Sequence, residues 1–361
     1  MPYNIITTFV HGYQNLHINL PEKNRPALWR ICDNKNQIFS YPFPRNPEDF
    51  IALDSFIVGE RPLKSAVSFK KLPRFGLTGL IKCGEYIYAG SWNGVYEINA
   101  NSYELKRIIS HRLMNDCHGI CISDNMILTV LTCKDTVVFT DLSGSIIQHF
   151  TIQNDLTVVE NKELTEVDWR FIGKQYRGSI GRWHFNYIQK IGNEIWLTSR
   201  NANAFVVIDL HTMKACMRLM SLPTPVLLHD GLEKHGKFYF TSIDGKILIA
   251  EDGIKTNKTQ QEYVENLHLF DRDLVAKIIR LNETSLKREP NWCRGIDVYQ
   301  DLIFVTIDGR YDSDLSFGVL VLKENGDIVS HYRLPWKTVG LESEIRFVTG
   351  FDICVLEDKN V

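Results

Sequence analysis

The sequence predicts an all-β, six-bladed β-propeller, from a recurring phrase, from the strands around it and from two incomplete chain ends. In the phrase, a short polar cluster precedes an apolar strand and a turn, as in residues 228–232 followed by 237–245. Related phrases begin at Leu77, Cys117, Asn186, Cys293 and Val348. A strand repeat with a period of about forty residues or more is typical of a propeller.

The N-terminal quarter predicts an apolar strand over residues 1–10 and then a hairpin. In the hairpin, residues 28–32 and 37–41 flank the turn-forming segment Asp33-Asn34-Lys35-Asn36. A short helical turn is predicted at residues 47–53.

From Gly76 onward, each repeat reads as an inner strand, a turn, a second strand, a loop, a third strand and an outer strand. The third strands are rich in β-branched and aromatic residues, as half-buried strands are. They begin at Val95, Val137, Phe205, Ile247 and Val319.

The two chain ends complement each other. The last repeat, from Glu344, supplies an inner strand, whereas the first segment supplies outer strands that lack one. We therefore expect the ends to share a blade, which removes exposed sheet edges and gives six blades in one domain over residues 1–361.

Two insertions interrupt the repeats, at residues 153–179 and 256–290. The second has helical spacing and is stopped by Pro290. Its apolar positions are Tyr263, Leu267, Phe270, Leu274 and Ile278. The spacing predicts a helix, which either packs on the side of the propeller or forms a lid over one mouth of its channel.

Composition argues against several function classes. The formal net charge is -2 without long runs of one sign, which argues against non-specific binding to nucleic acid or to a membrane surface. We see no signal peptide and no apolar stretch near the roughly 18 residues that span a bilayer. The 8 cysteines form no CxxC pairs, which predicts reduced thiols in a cytoplasmic protein.

Polar residues at the start of the inner strands are the candidate site, because these starts converge at one mouth of the central channel. Aligning the phrases on their shared glycine gives one set of equivalent positions: Thr78, His118, Tyr187, Asp230, Arg294 and Thr349. Neighbouring residues and loops on the same face add a second set: His184, Asn186, His229, Trp92, Lys134, Asp135, Arg200, Arg310, Asp244 and Asp308.

This collection predicts a small-molecule enzyme of hydrolase, lyase or isomerase type, acting on an anionic substrate, with or without a divalent cation. His118 and His229 would move protons, and Asp230 would orient one of them or bind metal. Arg294 would anchor the anion by a two-point contact. The other substrate-binding candidates are Tyr187, His184, Asn186, Trp92, Arg200 and Arg310.

Two alternatives stay open at this point. Inner-strand polar residues also bond neighbouring backbone groups, and Asp230 could cap an adjacent blade or pair with Arg294. The whole molecule could instead be a non-catalytic propeller that binds a protein partner or a ligand. A deep mouth with converging polar groups favours chemistry, and a plugged channel with an apolar rim favours a scaffold.

Several short motifs resemble a bacterial family of predicted propellers of unknown function. They are Cys117-His118-Gly119, Arg182-Trp183-His184-Phe185-Asn186, Leu228-His229, Cys293-Arg294-Gly295 and Glu344-Ile345-Arg346-Phe347. The resemblance covers most of residues 76–356. Tyr187 departs from it, since a glycine usually follows the asparagine there.

A broader resemblance is to the gluconolactonase and strictosidine-synthase group of six-bladed propellers. Asp230-Gly231-Leu232 resembles their metal-binding phrase, and Asn186 stands where they carry a metal-binding asparagine. This resemblance implies a calcium site at Asn186 and Asp230. Their early inner-strand glutamate has no counterpart, because Thr78 occupies that place.

Overall fold

In the computed structural model, the N-terminal elements include the strand, the hairpin and the helical turn that the sequence predicts. They are β1 (Tyr3–Tyr13), β2 (Arg25–Cys32), β3 (Lys35–Tyr41), α1 (Pro47–Ala52), β4 (Ile57–Gly59) and β5 (Phe75–Gly76). Helix α1 starts where the Asn46 side chain accepts the Asp49 N–H at 2.7 Å, with Pro47 in its first turn. The structure describes residues 3–13, 25–32, 35–44, 46–63, 75–160, 167–171, 182–219, 227–243, 245–250, 277–280, 292–308, 318–334 and 345–357.

Five blades follow, each built from antiparallel strands that lie in chain order from the channel outward. In blade 2, β4 is added in parallel to the outer strand. Blade 2 has β6 (Leu80–Cys83), β7 (Tyr86–Gly90), β8 (Val95–Asn99) and β9 (Leu105–Ser110), and blade 3 has β10 (Cys117–Ser123), β11 (Met126–Leu131), β12 (Thr136–Asp141), β13 (Ile146–Ile152) and β14 (Val158–Val159). Blade 4 has β15 (Phe185–Ile191), β16 (Glu194–Ser199), β17 (Ala204–Asp209) and β18 (Lys214–Leu219). Blade 5 has β19 (Leu228–Lys234), β20 (Lys237–Ser242), β21 (Lys246–Ala250) and β22 (Lys277–Arg280), and blade 6 has β23 (Trp292–Tyr299), β24 (Leu302–Asp308), β25 (Gly318–Lys323) and β26 (Ile328–Arg333).

The last strand, β27 (Ile345–Glu357), closes the ring as the inner strand of blade 1. It pairs antiparallel with β1 from Tyr3↔Glu357 to Tyr13↔Ile345, and the sheet order is β27-β1-β2-β3. The predicted shared blade and the count of six are thus confirmed. Closure covers edges that an open array of blades would expose.

Apolar packing lies mainly between neighbouring blades. Among the described residues, six buried clusters occur, one at each blade-to-blade interface, including the interface that joins blade 6 to blade 1. At that last interface, Trp29 and Ile353 of blade 1 meet Phe304 and Val321 of blade 6. The closing strand is therefore held by side-chain burial as well as by its ladder.

The helix predicted at residues 256–290 is corrected in part. Ile278, counted as a helical position, lies in β22, which pairs with β21 as the outer strand of blade 5. The other apolar positions of that prediction lie outside the described residues. Strand β21 ends, and β22 begins, at the face where the inner and second strands turn, opposite the face that holds the candidate site.

Two further sequence expectations concern the whole chain. None of the 8 cysteines forms a disulfide bond. In the part of the chain that the structure describes, no helix has the length and apolar character needed to cross a membrane.

Candidate functional site in the central channel

A β-bulge near the start of five of the six inner strands sets which residues are equivalent. The ladder register shifts between Cys117 and Ile120 in blade 3, and at matching points in blades 4, 5, 6 and 1. Such bulges redirect side chains and are common next to functional sites. Equivalent residues are found by counting back from the inner hairpin turns and, in blade 1, from the ladder with β1. They are Thr78, His118, Asn186, His229, Arg294 and Phe351. We call these six residues the ring.

This register corrects the alignment on the shared glycine. That alignment placed Tyr187, Asp230 and Thr349 beside His118, but Asn186, His229 and Phe351 hold those positions. One residue further along each inner strand is a second set, called the lower layer. It contains Gly79, Gly119, Tyr187, Asp230, Gly295 and Asp352.

Threonines on the second strands fix the ring to the neighbouring blade. Thr8, Thr198 and Thr241 donate their hydroxyls to the carbonyls of Thr78 (2.5 Å), His229 (2.7 Å) and Arg294, respectively. The Thr241 hydroxyl also accepts the bulged Asp230 N–H at 3.2 Å. Because these contacts satisfy backbone groups near the start of the inner strands, they hold the ring residues in place.

The glycines of the lower layer let neighbouring inner strands approach closely. A Cβ atom on Gly79 would lie 2.1 Å from the His118 carbonyl oxygen. One on Gly295 would lie 2.5 Å from the Asp352 Cα. Any larger residue at these two positions would push adjacent blades apart below the ring.

Three histidines meet at the upper mouth. The centroid of the His118 ring lies 5.9 Å from that of His184 and 6.5 Å from that of His229. His118 and His229 are 5% and 6% exposed, whereas His184 is half-buried. The sequence prediction that these three side chains converge is therefore consistent with the structure.

His118 is oriented by Asp116, a residue that the sequence reasoning missed. The His118 Nδ1 atom lies 3.1 Å from the Asp116 carbonyl oxygen and 3.4 Å from its Oδ1. Asp116 reaches this position through a left-handed backbone, with φ of 57°. Two acceptors on one side place a proton on Nδ1, which leaves Nε2 as the proton acceptor of the neutral ring.

His229 lies in a strongly cationic setting. Burial, and then the charges of Arg294, His118, His184 and Arg200, hold its pKa well below the usual range. A charged imidazolium is costly there, because both the loss of water and like charge oppose it. His229 is therefore a neutral imidazole at pH 7.

Asn186 is the ring residue with unmet hydrogen-bonding capacity. Its side chain is 4% exposed, and neither its amide nitrogen nor its amide oxygen has a hydrogen-bond partner among the described residues. In blade order it lies between His118 and His229. A buried, unpartnered amide costs about 1–3 kcal/mol, a cost that a bound polar molecule can offset.

Asp230 and Asp352 of the lower layer have mainly backbone partners. Asp230 accepts the Gly231 N–H at 2.9 Å and the N–H of Ile296 on the next blade. Asp352 accepts the Ile353 N–H at 2.8 Å and, across to the next blade, the Leu80 N–H at 2.5 Å. The two carboxyl groups are also hydrogen-bonded to each other.

The shared contact between these carboxyl groups has an electrostatic consequence. Desolvation and the neighbouring Asp352 raise the pKa of Asp230 well above its usual range, and desolvation raises the pKa of Asp352 to about 6. Two carboxylates that face each other share a proton more readily than they carry two charges. The pair thus links blades 5 and 1 across the channel.

Below the lower layer the channel widens into a cavity of about 500 Å³, lined by inner strands of all six blades. Its walls include Asp297, which accepts the Val355 N–H at 2.7 Å, and Gln189, which accepts the Glu233 N–H at 2.8 Å. Tyr187 also lines this cavity, and its hydroxyl donates to Gln189. The Tyr187 side chain therefore faces this cavity and not the histidines.

The remaining predicted residues divide into three groups. Arg200 contributes to the positive field on His229, and its N–H donates to the His184 carbonyl at 3.3 Å. Trp92 is buried, and its carbonyl accepts the Asp116 N–H at 2.6 Å. Arg310 and Asp244 lie outside the described residues, as does the side chain of Asp308.

Asp135, predicted only as part of a loop on this face, positions His184. Its carboxylate accepts the N–H groups of Trp183 at 2.7 Å and His184 at 2.9 Å. Burial nevertheless raises the pKa of Asp135 to about 7. The loop that presents His184 is therefore anchored to blade 3.

The calcium site implied by the gluconolactonase resemblance does not fit these residues. Asn186 is in the ring, whereas the Asp230 oxygens in the lower layer already serve two backbone N–H groups and the Asp352 carboxyl. Among the described residues, no three or more His, Cys, Asp or Glu side chains are grouped so as to hold a metal ion. We derive no step through a metal.

Comparison with known proteins adds to the fold but not to the chemistry. No protein-family model matches the sequence, and no curated protein matches it. Of the solved structures, a chain of the nidogen/laminin complex is similar over 98% of both chains, with 8% identity and a TM-score of 0.54, which shows the propeller fold alone.

Two enzymes are among the other structurally similar proteins. A 6-phosphogluconolactonase candidate from Bacteroides uniformis has 11% identity and a TM-score of 0.46, covering 92% of this chain and 84% of its own. Virginiamycin B lyase from Staphylococcus aureus has 13% identity and a TM-score of 0.45, covering 91% and 85%. The resemblance to the bacterial family of unknown function stays a prediction.

Proposed function

We propose that the ring binds a small anionic molecule and transfers a proton to or from it, as a hydrolase, lyase or isomerase does. The observation that carries the proposal is the convergence of His118, His184 and His229 beside Arg294. A propeller needs none of these side chains for closure, since Thr78 serves at the equivalent position of blade 2.

His118 is the proposed general base. Its Nδ1 proton is directed to Asp116, so Nε2 is the ring nitrogen that accepts a proton from substrate or water. Asp116 acts as a positioning residue, as a buried carboxylate does when it fixes the tautomer of a catalytic histidine. Asp230 no longer fills that role in our proposal, because its contacts lie in the lower layer.

Arg294 and Arg200 are the proposed anion anchors. Arg294 is 3% exposed, and a guanidinium excluded from water holds an oxyanion more strongly than an exposed one. His229 is the proposed second proton carrier, neutral in the free protein and able to accept a proton when an anion offsets the surrounding charge.

The test is turnover by the full-length protein on a panel of phosphate esters, sulfate esters, lactones and hydroxy acids. For any substrate found, His118→Gln and His229→Gln should each lower kcat/KM by about a hundredfold or more. His211→Gln, at an exposed turn of blade 4, is the matched control and should leave the rate unchanged.

Two outcomes would contradict the proposal. Turnover that survives both ring substitutions would place the reaction elsewhere. Binding at the ring with no turnover on any substrate class would favour the alternative of a non-catalytic, ligand-binding propeller.

A further inference from the structure

The charge at the upper mouth is unbalanced. Arg294, Arg200, His118 and His184 all face His229, from blade 6, blade 4, blade 3 and the loop before β15. The described carboxyl groups on this side include Asp116, which lies against His118, and Asp135, which accepts the Trp183 and His184 N–H groups. The charges that act on His229 are those of two guanidinium groups and two imidazoles, so a proton on His229 meets like charge until an anion binds.

The space between these groups is narrow. Ring centroids 5.9 and 6.5 Å apart allow two imidazoles to reach the same oxyanion. Asn186 lies between His118 and His229 in blade order and brings a buried amide without a partner in the described part of the chain. An amide N–H group is a neutral donor to an oxyanion, and it adds no competing charge.

We propose that the ring takes a compact dianionic oxyanion, a phosphoryl or sulfuryl group, and that His229 takes up one proton as this group binds. The inference rests on the proposed function and names its substrate class. Arg294 and Arg200 hold the anion, Asn186 donates to one of its oxygens, and the proton on His229 completes the balance of charge.

The direction in which dianion affinity changes with pH follows from the change in the His229 pKa on binding. In the free protein the pKa of His229 lies below its usual range, because of burial and then the surrounding cations. A bound dianion reverses the field, so the pKa of His229 rises in the complex. The affinity for the dianion is then highest at pH values below the His229 pKa of the free protein. It falls by up to about tenfold per pH unit as the pH rises from that pKa to the His229 pKa of the complex.

The experiment is calorimetric titration of sulfate into the full-length protein at pH 6, 7 and 8, in buffers with different heats of ionisation. Sulfate keeps its double charge over this range, so any proton taken up belongs to the protein. We expect sulfate and inorganic phosphate to bind at least tenfold more tightly than chloride or acetate. Sulfate binding should fall with pH and be accompanied by proton uptake.

Two variants and one control assign the groups. His229→Gln should abolish proton uptake and flatten the pH dependence while weaker sulfate binding remains at Arg294. Asn186→Ala removes a side chain without described partners, so it should fold normally and weaken sulfate binding several-fold. His211→Gln should behave as the parent protein.

Several results would overturn the inference. They are equal affinity for sulfate and chloride, sulfate binding without proton uptake, or uptake that persists in His229→Gln. If a monoanionic substrate is nevertheless turned over in a manner that depends on His118 and Arg294, the proposed function stands and only the dianion is wrong. A difference between phosphate and sulfate would tell which oxyanion the ring selects.

Discussion

The ring and the lower layer are adjacent sets of residues on the same inner strands, yet their polar side chains have different partners. In the lower layer, Asp230 and Asp352 each accept an N–H group from the next blade. In the ring, Asn186 has no described partner, and the charge of Arg294 opposes protonation of His229. The comparison teaches that polarity in a propeller channel is not itself a sign of function.

What separates the two sets is whether the protein satisfies its own polar groups. A carboxylate that accepts backbone N–H groups stabilises the junction between blades and has little capacity left for a ligand. An arrangement that is unfavourable in the free protein, such as clustered cations beside a buried amide, is improved by a bound anion.

The largest effect is expected from removing the closing strand. Deleting residues 345–361 removes the inner strand of blade 1 and with it Asp352 and the edge partner of β1. The protein should lose cooperative unfolding and aggregate, as measured by thermal melting and size-exclusion chromatography. A monomeric truncated protein with an unchanged Tm would contradict the closure account.

A smaller effect, confined to binding, is expected from Arg294. Arg294→Ala should weaken anion binding by tenfold or more while Tm changes by only a few degrees. Arg294→Lys should also be impaired, because an ammonium group cannot make a planar two-point contact. Calorimetric titration beside thermal melting checks both, and a large fall in Tm with unchanged affinity would move Arg294 into the structural set.

The carboxyl pair predicts a pH dependence of stability. Both folded-state pKa values are raised, that of Asp352 to about 6 and that of Asp230 well above normal, so the native state binds more protons than the unfolded one. The stabilisation from the carboxyl pair is present at pH values below the unfolded-state aspartate pKa near 4, and it is lost as pH rises through 6 and beyond. Asp230→Asn imitates the protonated form, so its Tm should depend less on pH over this range than that of the parent.

The blades could be predicted from the sequence, whereas the register of the ring depends on which residues are used to align the repeats. The blades and their closure follow from repeated strands and from incomplete ends. The ring register did not follow from the shared glycine, because Gly119 and Gly231 lie at different positions relative to the bulge. The hairpin turns Asp124-Asn125 and His235-Gly236 are visible in the sequence and give the correct register.

Other features needed the three-dimensional arrangement. The contact of Asp116 with His118 depends on a left-handed backbone at Asp116, and acidic residues next to strands are too common to predict it. The pairing of Asp230 with Asp352 joins blades that are far apart in sequence. In residues 256–290, helical spacing included Ile278, whose pairing with Leu248 in blade 5 makes it part of a strand.

The smallest predicted effect concerns the threonines that hold the ring. Thr241→Val removes a hydroxyl that serves both the Asp230 N–H and the Arg294 carbonyl, and should cost about 1–3 kcal/mol of unfolding free energy. Thr129→Val is the matched control, because the buried Thr129 hydroxyl has no partner among the described residues. Denaturant unfolding should show Thr129→Val to be neutral or stabilising, and equal losses in both variants would refute the bridging role.

The most direct test compares two adjacent residues, one from each set. His229→Ala and Asp230→Ala are measured side by side by thermal melting and by sulfate titration. The account predicts that His229→Ala keeps its Tm within a few degrees and loses proton-linked sulfate binding. Asp230→Ala leaves the Gly231 and Ile296 N–H groups without their acceptor, so it should melt several degrees lower and keep its affinity per folded molecule. The reverse pattern, or equal losses of stability and binding in both variants, would contradict the division of the channel into a binding ring and a structural layer.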